Sequence, residues 1–537
     1  MLIDLQQQQN RQVRVYADVC IIGSGVAGLL LAHQLLGKGR RVVVLETGGR
    51  EAGDETHPLN EVVQRGSVYR GATHGRARCV GGTSTRWGGA MIPFLPSDLA
   101  ERSHVGAPQW PVSFQELSRF IPDVERVFAL DRGSYDGAFL SEFGDAAILP
   151  QDPDFLPRFA KWPRFRMRNL ANLFRREIEQ DNELQLWFNA HVTSFALDEG
   201  GDRIASVTAS AHSERLIEVS ANRFVLCAGA IESTRLLLSL DRQAGGRLSR
   251  QGGALGRFFH DHVSIVAADL EVDDPFSLNR LAGLRFVGST MRSLRFELSP
   301  AAQAAERVSS AFGHIQFATR EATTFDAIRE LLQCVQKRAR PRWSSVTRVV
   351  FGAPDLAMIA YWRAKWRQLR WPRAADYQFH IVAEQLPSRD NQISLAGDVD
   401  RFGVPLASIN WRVQPRELAT VEAYARRFES FWRRRGLARV ARLNWRDLPR
   451  RIADESSPMD VFHPGGSTRM GTSASVGVVD RDLKVFGFGN LHVASTSVFP
   501  SGASANPTFM LMLFVCRLSR HLLDGALARD VAAPSLP

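Results

Sequence analysis

Hydrophobic residues along this chain change their period repeatedly, and each change marks an element. Val19, Ile21 and Ile22 form a short apolar strand that stops at Gly23, Leu29 to Leu36 then read as a helix, and Gly37 and Gly39 end it. Val42, Val43, Val44 and Leu45 give a second strand, closed by Glu46. The glycines between the first strand and the helix are spaced GSGVAG. Gly23 permits a tight turn, Gly25 leaves bare backbone beside a pyrophosphate, and Gly28 lets the helix pack close on the strand. The helix then points its free N–H groups and positive end at phosphate. Glu46, roughly 20 residues past the glycines, is placed to accept hydrogen bonds from ribose hydroxyls and to repel a 2′-phosphate, which favours FAD or NAD over NADP.

Beyond Gly49 this pattern stops. A glycine-dense loop, CVGGTSTRWGGAMIPF, precedes an amphipathic helix in QWPVSFQELSRFIPDVERVFAL, and irregular sequence runs to about Asn189. Short strands resume in HVTSFALDEGGDRIASVTAS, with a hairpin turn at Glu199, Gly200 and Gly201, and RFVLCAGAIESTRLLLSL reads strand, turn, helix. Ala228 and Gly229 end that strand where a nucleotide would lie. From about Pro275 to Leu448 strands and helices alternate without dinucleotide features, and the chain then returns to glycine turns and strands before a last helix over Pro507 to Leu523. The predicted architecture is α/β, with a discontinuous Rossmann-like nucleotide domain built from 15–90, 186–275 and 455–530. An inserted α+β substrate domain, 91–185 and 276–454, carries a basic, tryptophan-rich insert at 335–373.

Length and charge refine this picture. At 537 residues the chain is long enough for two domains. The N-terminus has no apolar run of signal-peptide length and no stretch is long enough to span a bilayer, so a cytoplasmic protein is expected. Five cysteines, Cys20, Cys79, Cys227, Cys334 and Cys516, lack CxxC spacing and fit a reducing compartment. The net charge of +11 is concentrated between Lys337 and Arg373. There the apolar residues Leu356, Ile359, Trp362, Trp366 and Leu369 recur at helical spacing, while Arg363, Lys365, Arg367 and Arg370 supply charge around them. Two readings fit: a basic helix packed on its own domain, or a helix whose tryptophans and cations dock on an anionic membrane surface. Nucleic acid is not expected, because the cations come with an apolar stripe and no binding module.

These segments, in this order, resemble the glucose–methanol–choline (GMC) oxidoreductases: GSGVAG with Glu46, CVGGTSTRWGG, WPVSFQEL, FVLCAGAIESTRLLL, HPGGSTRMG, and VVDRDLKVFGFGNLHVASTSVFPSGASANPT. The loop VGGTSTRW is most similar to that of the pyranose oxidase and sugar-dehydrogenase branch. The resemblance covers nearly the whole chain apart from the basic insert. It implies FAD rather than NAD, an FAD-binding domain of GMC fold, and oxidation of a hydroxyl on a sugar-like or lipid-linked substrate, by a dehydrogenase in preference to an oxidase. It places the family's active-site histidine on His463 and that residue's partner, a His or Asn, on Asn506. A neutral imidazole suits removal of a hydroxyl proton near pH 7, and an uncharged amide suffices to steady the developing alkoxide. Cofactor contacts are implied at Gly23, Gly25, Gly28, Glu46, Gly81, Gly82, Ser84, Trp87, Val192, Ala228, Gly229, Ser495, Pro507 and Thr508.

Two positions depart from the family. Arg86 stands where the pyranose oxidase loop carries a flavin-attached histidine, so non-covalent FAD is expected, and Ser495 stands where an aspartate is common. His260 and His262 flank Asp261 in a triplet that invites a metal reading, but no further ligand cluster supports it and a structural turn is expected, with no metal. Glu384 and Gln385 are assigned structure. Other readings consistent with the sequence are a GMC enzyme for non-sugar alcohols and a membrane-recruited flavin-binding protein without turnover. The electron acceptor is not identified.

Overall fold

The computed structural model describes residues 1–53, 56–143, 149, 151–319, 323–372, 375–448 and 460–524. The domain limits placed at 455 and 530, and Arg373 in the insert, lie outside them.

The apolar runs of the first half assemble one sheet. Gln12–Ile22 pairs in parallel with Val42–Leu45 on one side and with Leu216–Leu226 on the other. Leu184–Phe188 and then Leu2–Asp4 extend the parallel part, and the hairpin His191–Leu197 with Ile204–Ser210 adds antiparallel strands beyond Leu216–Leu226. The last part of the chain completes this sheet, because Leu491–Val493 pairs in parallel with Phe224 to Leu226. All four residues of Val42–Leu45 are buried, as a strand covered on both faces requires. The helices Val26–Leu35 and Pro507–Asp524 pack together against it. The first helix therefore starts three residues earlier than the apolar pattern indicates, directly at the glycine turn.

The second sheet gathers most strands of the proposed substrate domain and also His262–Val272, which lies on the nucleotide side of the boundary expected at 275, because its pairing with Ala375–Glu384 and Ala441–Trp445 draws it into this sheet. Its antiparallel order is Arg285–Val287, Thr290–Leu298, Ala311–Thr319, Ala375–Glu384, His262–Val272, Ala441–Trp445, with Phe155–Trp162 beside Thr290–Leu298. The twenty-residue helix Pro415–Arg434 covers it, stacking Tyr424 and Phe428 on Phe379. Phe155–Trp162 lies in sequence expected to be irregular. Its alternation is hidden by charges that are themselves buried: Arg158 pairs with Glu297 at 2.8 Å, and Lys161 reaches Glu125 at 2.5 Å. A small third sheet, Gln392–Val399, Pro405–Trp411 and Val62–Gly66, joins parts of the two proposed domains.

The basic insert folds as a cap of three helices, Thr324–Lys337, Trp343–Phe351 and Ala353–Trp366. The stripe proposed for membrane docking is turned inward. Trp362 is buried with its ring 5.4 Å from that of Phe276, and Trp366 meets Phe276 at 5.8 Å and the Arg280 guanidinium at 4.3 Å. Leu369 lies past the helix end, which Arg367 closes at φ 53°. Arg363 and Arg367 sit over Phe286 and Phe143. The packing reading therefore holds for this stripe, because Phe276 and Arg280, on the neighbouring helix Pro275–Ala282, supply it with a surface that the local sequence does not reveal. Among the described residues no helix is long and apolar enough to cross a membrane.

Candidate active site

Two loops bring the proposed catalytic residues together. The HPGG loop carrying His463 closes on the segment Phe258–Asp261: Gly465 N donates to His260 O at 2.8 Å, and His260 N donates back at 3.2 Å. The second glycine is required there, since a Cβ on Gly466, whose φ is +83°, would lie 2.1 Å from Phe258 O. The loop before the last helix carries Asn506, and Thr496 Oγ1, further back on that segment, donates to Pro464 O at 2.6 Å. His463 and Asn506 are both half-buried amid residues that are mostly buried, and Asn506 Nδ2 lies 3.3 Å from His463 Nε2.

A chain of hydrogen bonds fixes which nitrogen of His463 carries its proton. His262 Nε2 lies 2.8 Å from Ala503 O and 3.3 Å from Gly502 O, both pure acceptors, so this nitrogen is the N–H. Burial lowers the His262 pKa, which keeps the ring neutral and its Nδ1 bare. His463 Nδ1, 2.9 Å away, must donate to it, leaving His463 Nε2 unprotonated, its lone pair facing Asn506 Nδ2 at 3.3 Å. Burial, then His262 and Arg295, hold the His463 pKa well below its usual value, so the base form is present at neutral pH. Arg295 Nη2 donates to Asn506 Oδ1 at 2.8 Å and turns the amide N–H₂ toward His463.

Beneath this pair lies Asp261, which accepts from Tyr69 OH at 2.7 Å, from His262 N at 2.6 Å and from His463 N at 3.0 Å. Burial pushes its carboxyl up to about 7 in spite of these donors. Asp261, His262 and His463 bring one possible ligand atom each within 4.8 Å of one another, a spacing a cation could use. The two facing imidazole nitrogens are already engaged with each other.

The nucleotide side is built from glycines in contact. Gly23, at φ +105°, packs against the end of Leu216–Leu226, where an added Cβ would lie 2.7 Å from Cys227 O. At Gly28 the same atom would meet Gly23 O at 1.9 Å. Gly81 N donates to Ser24 O at 3.1 Å, and a Cβ on Gly82 would lie 2.8 Å from Gly25 Cα, so the CVGG loop rests on the GSG turn. Glu46 is buried beside them, accepting from Ser24 N at 3.0 Å, Ser24 Oγ at 2.7 Å and Gly48 N at 2.9 Å.

Comparison with known proteins gives the family. Residues 18–342, more than half of the chain, match the family model described as FAD dependent oxidoreductase, and residues 387–514 match that of the GMC oxidoreductase C-terminal domain. The chain is an FAD-dependent oxidoreductase of the GMC family. The paromamine 6′-oxidase of Streptomyces fradiae is 20% identical over 568 residues, covering 96% of this chain and 93% of that protein. The C-glycoside 3-oxidase of Microbacterium trichothecenolyticum is 26% identical over 157 residues, 28% of each chain. Among solved structures, a pyridoxine 4-oxidase from Mesorbium loti covers 94% of this chain and 98% of its own, with TM-score 0.59 and 15% identity. A formate oxidase covers 96% and 99%, with TM-score 0.57 and 15% identity. These two show the fold.

The residues of this GMC oxidoreductase fit FAD. Added Cβ atoms on Gly25 and Gly229 would meet nothing within 4 Å, and each glycine stands at the N-terminus of a helix, where bare N–H groups face open space. Other predicted contacts have their side chains engaged within the protein. Ser84 Oγ donates to Gly81 O and accepts from Leu170 N, Ser495 Oγ contacts Ser497 Oγ, and Val192 is in the core. Trp87 Nε1 donates to Arg168 O at 2.7 Å. Ala228 precedes Gly229 at that helix start, while Pro507 and Thr508 open the last helix after Asn506.

His262 stands on a strand and not in the expected turn, and Arg295 joins the site without a signal in the sequence. His262 begins the substrate-sheet strand His262–Val272 and touches His463 from 201 positions away. The HDH triplet was the one visible signal. Gln385 is structural as expected, its Oε1 accepting from Asp261 N at 3.0 Å and Trp411 Nε1 at 2.8 Å.

Proposed function

We propose that this enzyme oxidises a hydroxyl group on a sugar-like substrate, with His463 as the base and Asn506 as the group that steadies the alkoxide. The unprotonated His463 Nε2, which accepts from Asn506 Nδ2 at 3.3 Å, carries this reading. An oxygen about 2.9 Å from each atom would accept from Nδ2 and donate its proton to Nε2. Bound FAD supplies the acceptor for the hydride. Proton transfer leaves His463 doubly protonated with Nδ1–H still pointing at His262, so the ring does not turn during the reaction. Arg295, held at about 10 by burial, remains charged and polarises Asn506 toward the developing negative charge.

The substrate class is supported by the relatives, whose names specify paromamine, a C-glycoside and 6′′′-hydroxyparomomycin C. All three are oxidases, which gives the expected preference for a dehydrogenase no support, and we take oxygen as the acceptor. Mixing the anaerobic protein with free, nucleotide-linked and lipid-linked sugars tests the function. At least one sugar bleaches the flavin, and readmitted air restores the colour with hydrogen peroxide formed. Bleaching by simple aliphatic alcohols alone would reassign the enzyme to another substrate class, and recovery only with a quinone would reassign the acceptor.

Within this reading the FAD is held non-covalently. Arg86 is exposed, donates to Gly53 O, and offers no nucleophilic ring. Acid precipitation should leave all of the yellow colour in the supernatant; flavin remaining on the precipitated chain would contradict it. We also place the enzyme in the cytoplasm at the inner face of a membrane, where its cap meets anionic lipid.

A further inference from the structure

Half of the exposed large hydrophobic side chains among the described residues, seven of fourteen, fall within the thirty positions 332–361 of the cap. Trp343 is 78% exposed and Phe351 84%, with Val350 at 66%, Tyr361 at 48% and Met358 at 37%. These are not the residues of the buried Trp362 stripe. Trp343 and Val350 are one heptad apart on the second cap helix, and Met358 and Tyr361 share a face of the third. Cations flank them along the chain: Lys337, Arg340, Arg342 and Lys365 are all exposed, and Lys365 Nζ donates to Tyr361 OH at 2.9 Å. Two acids of the cap are engaged within it, Asp326 capping the first cap helix and Asp355 accepting from Thr324 Oγ1 at 3.1 Å, while Glu330 accepts from Ser345 Oγ at 2.7 Å and lies 3.9 Å from Arg342 Nε. The cap is also anchored, since Gln336 Nε2 donates to Ser84 O and Trp87 O at 3.1 and 3.0 Å, on the loop that rests against the glycine turn.

We propose that this outward face, led by Trp343, Val350 and Phe351, docks on an anionic phospholipid bilayer. Apolar tips with a cationic surround match the layering of a lipid surface, in which phosphate lies above hydrocarbon. A second copy of the same face would bring like charges together, which disfavours self-association through it. Docking sets the CVGG loop, through Gln336, at a fixed relation to the lipid. It deepens the membrane part of the proposed function and is independent of which hydroxyl is oxidised.

Co-sedimentation of the FAD-loaded protein with vesicles tests it. Binding is expected to phosphatidylcholine vesicles containing phosphatidylglycerol and not to phosphatidylcholine alone, and to weaken as salt rises. Trp343→Ser with Phe351→Ser should weaken it by about a hundredfold, the effect of losing two buried aromatic rings. Val476→Ser, also exposed but outside the cap, should leave binding unchanged. Flavin reduction by free sugar should be the same in all these proteins, so a failed oxidation reading shows as lost bleaching with binding intact. Equal sedimentation with both vesicles, none with either, or undiminished binding by the double variant would overturn the proposal. So would a dimer in light scattering that only the double variant abolishes, which would make a second copy the occupant, or retention of the face on nucleic acid in preference to vesicles.

Discussion

His463→Ala should keep its FAD and lose flavin reduction by about 10²–10⁴-fold, the usual worth of a positioned general base. The loss follows from the hydrogen-bond chain, in which His463 Nε2, facing Asn506 Nδ2, is the nitrogen of the His262–His463 pair that neither carries a proton nor accepts one from the other ring. Asn506→Ala should lose activity as well while keeping its flavin. Stopped-flow reduction at saturating sugar reads both changes. The low pKa of His463 adds a pH signature: the base form persists below pH 6.5, so a rate controlled by this ring should not fall as pH drops through that value. Loss of flavin in either variant, or near-normal reduction, would make these residues structural.

Arg102→Ala should destabilise the folded protein by about 3–5 kcal/mol, because it strands a charge in the interior. Glu384 is fully buried, and Arg102 meets it with two bonds, at 2.5 and 2.7 Å. The same carboxylate accepts from Ala503 N at 3.0 Å and from Ser310 Oγ at 3.2 Å. It thus ties the segment before the substrate sheet, the sheet itself and the backbone three residues before Asn506. Burial would raise its pKa, but Arg102 and these donors hold it at about 2. Its folded value lies below the ordinary 4.5, so the stabilisation is complete above that pH and is lost as the pH falls toward about 2. Thermal unfolding at pH 7 should show Arg102→Ala well below wild type, with Glu384→Gln added to it recovering part of the loss. An unchanged midpoint would show the pair to be dispensable.

The nucleotide half was legible because each of its requirements is local. Gly23, Gly25, Gly28 and Glu46 fall within one strand–helix–strand unit, and their spacing alone fixes their geometry. His463 and Asn506 were reached through the order of the family's segments. His262 and Arg295 were not, since they approach the site from strands whose register is set by pairing across the sheet, and no spacing in one dimension encodes that. Phe155–Trp162 was missed because its buried charges break the apolar alternation. The cap shows the same limit: helical periodicity identified an apolar stripe, but which side faces solvent depended on Phe276 and Arg280.

The parallel pairing of Leu491–Val493 with Phe224 to Leu226 has a consequence for biosynthesis. On the ribosome the Rossmann turn emerges well before Leu491–Val493 and Pro507–Asp524, so until those segments are made its sheet lacks a strand and its first helix lacks their cover. Arg517 reaches Glu116 across 401 positions, and Trp110 reaches Ser501 across 391. Contacts of such range are slow to form and leave apolar surface open meanwhile. Strands of the second sheet are therefore free to pair before Leu491–Val493 is made, and the glycine turn gains its full cover only when that strand and Pro507–Asp524 dock.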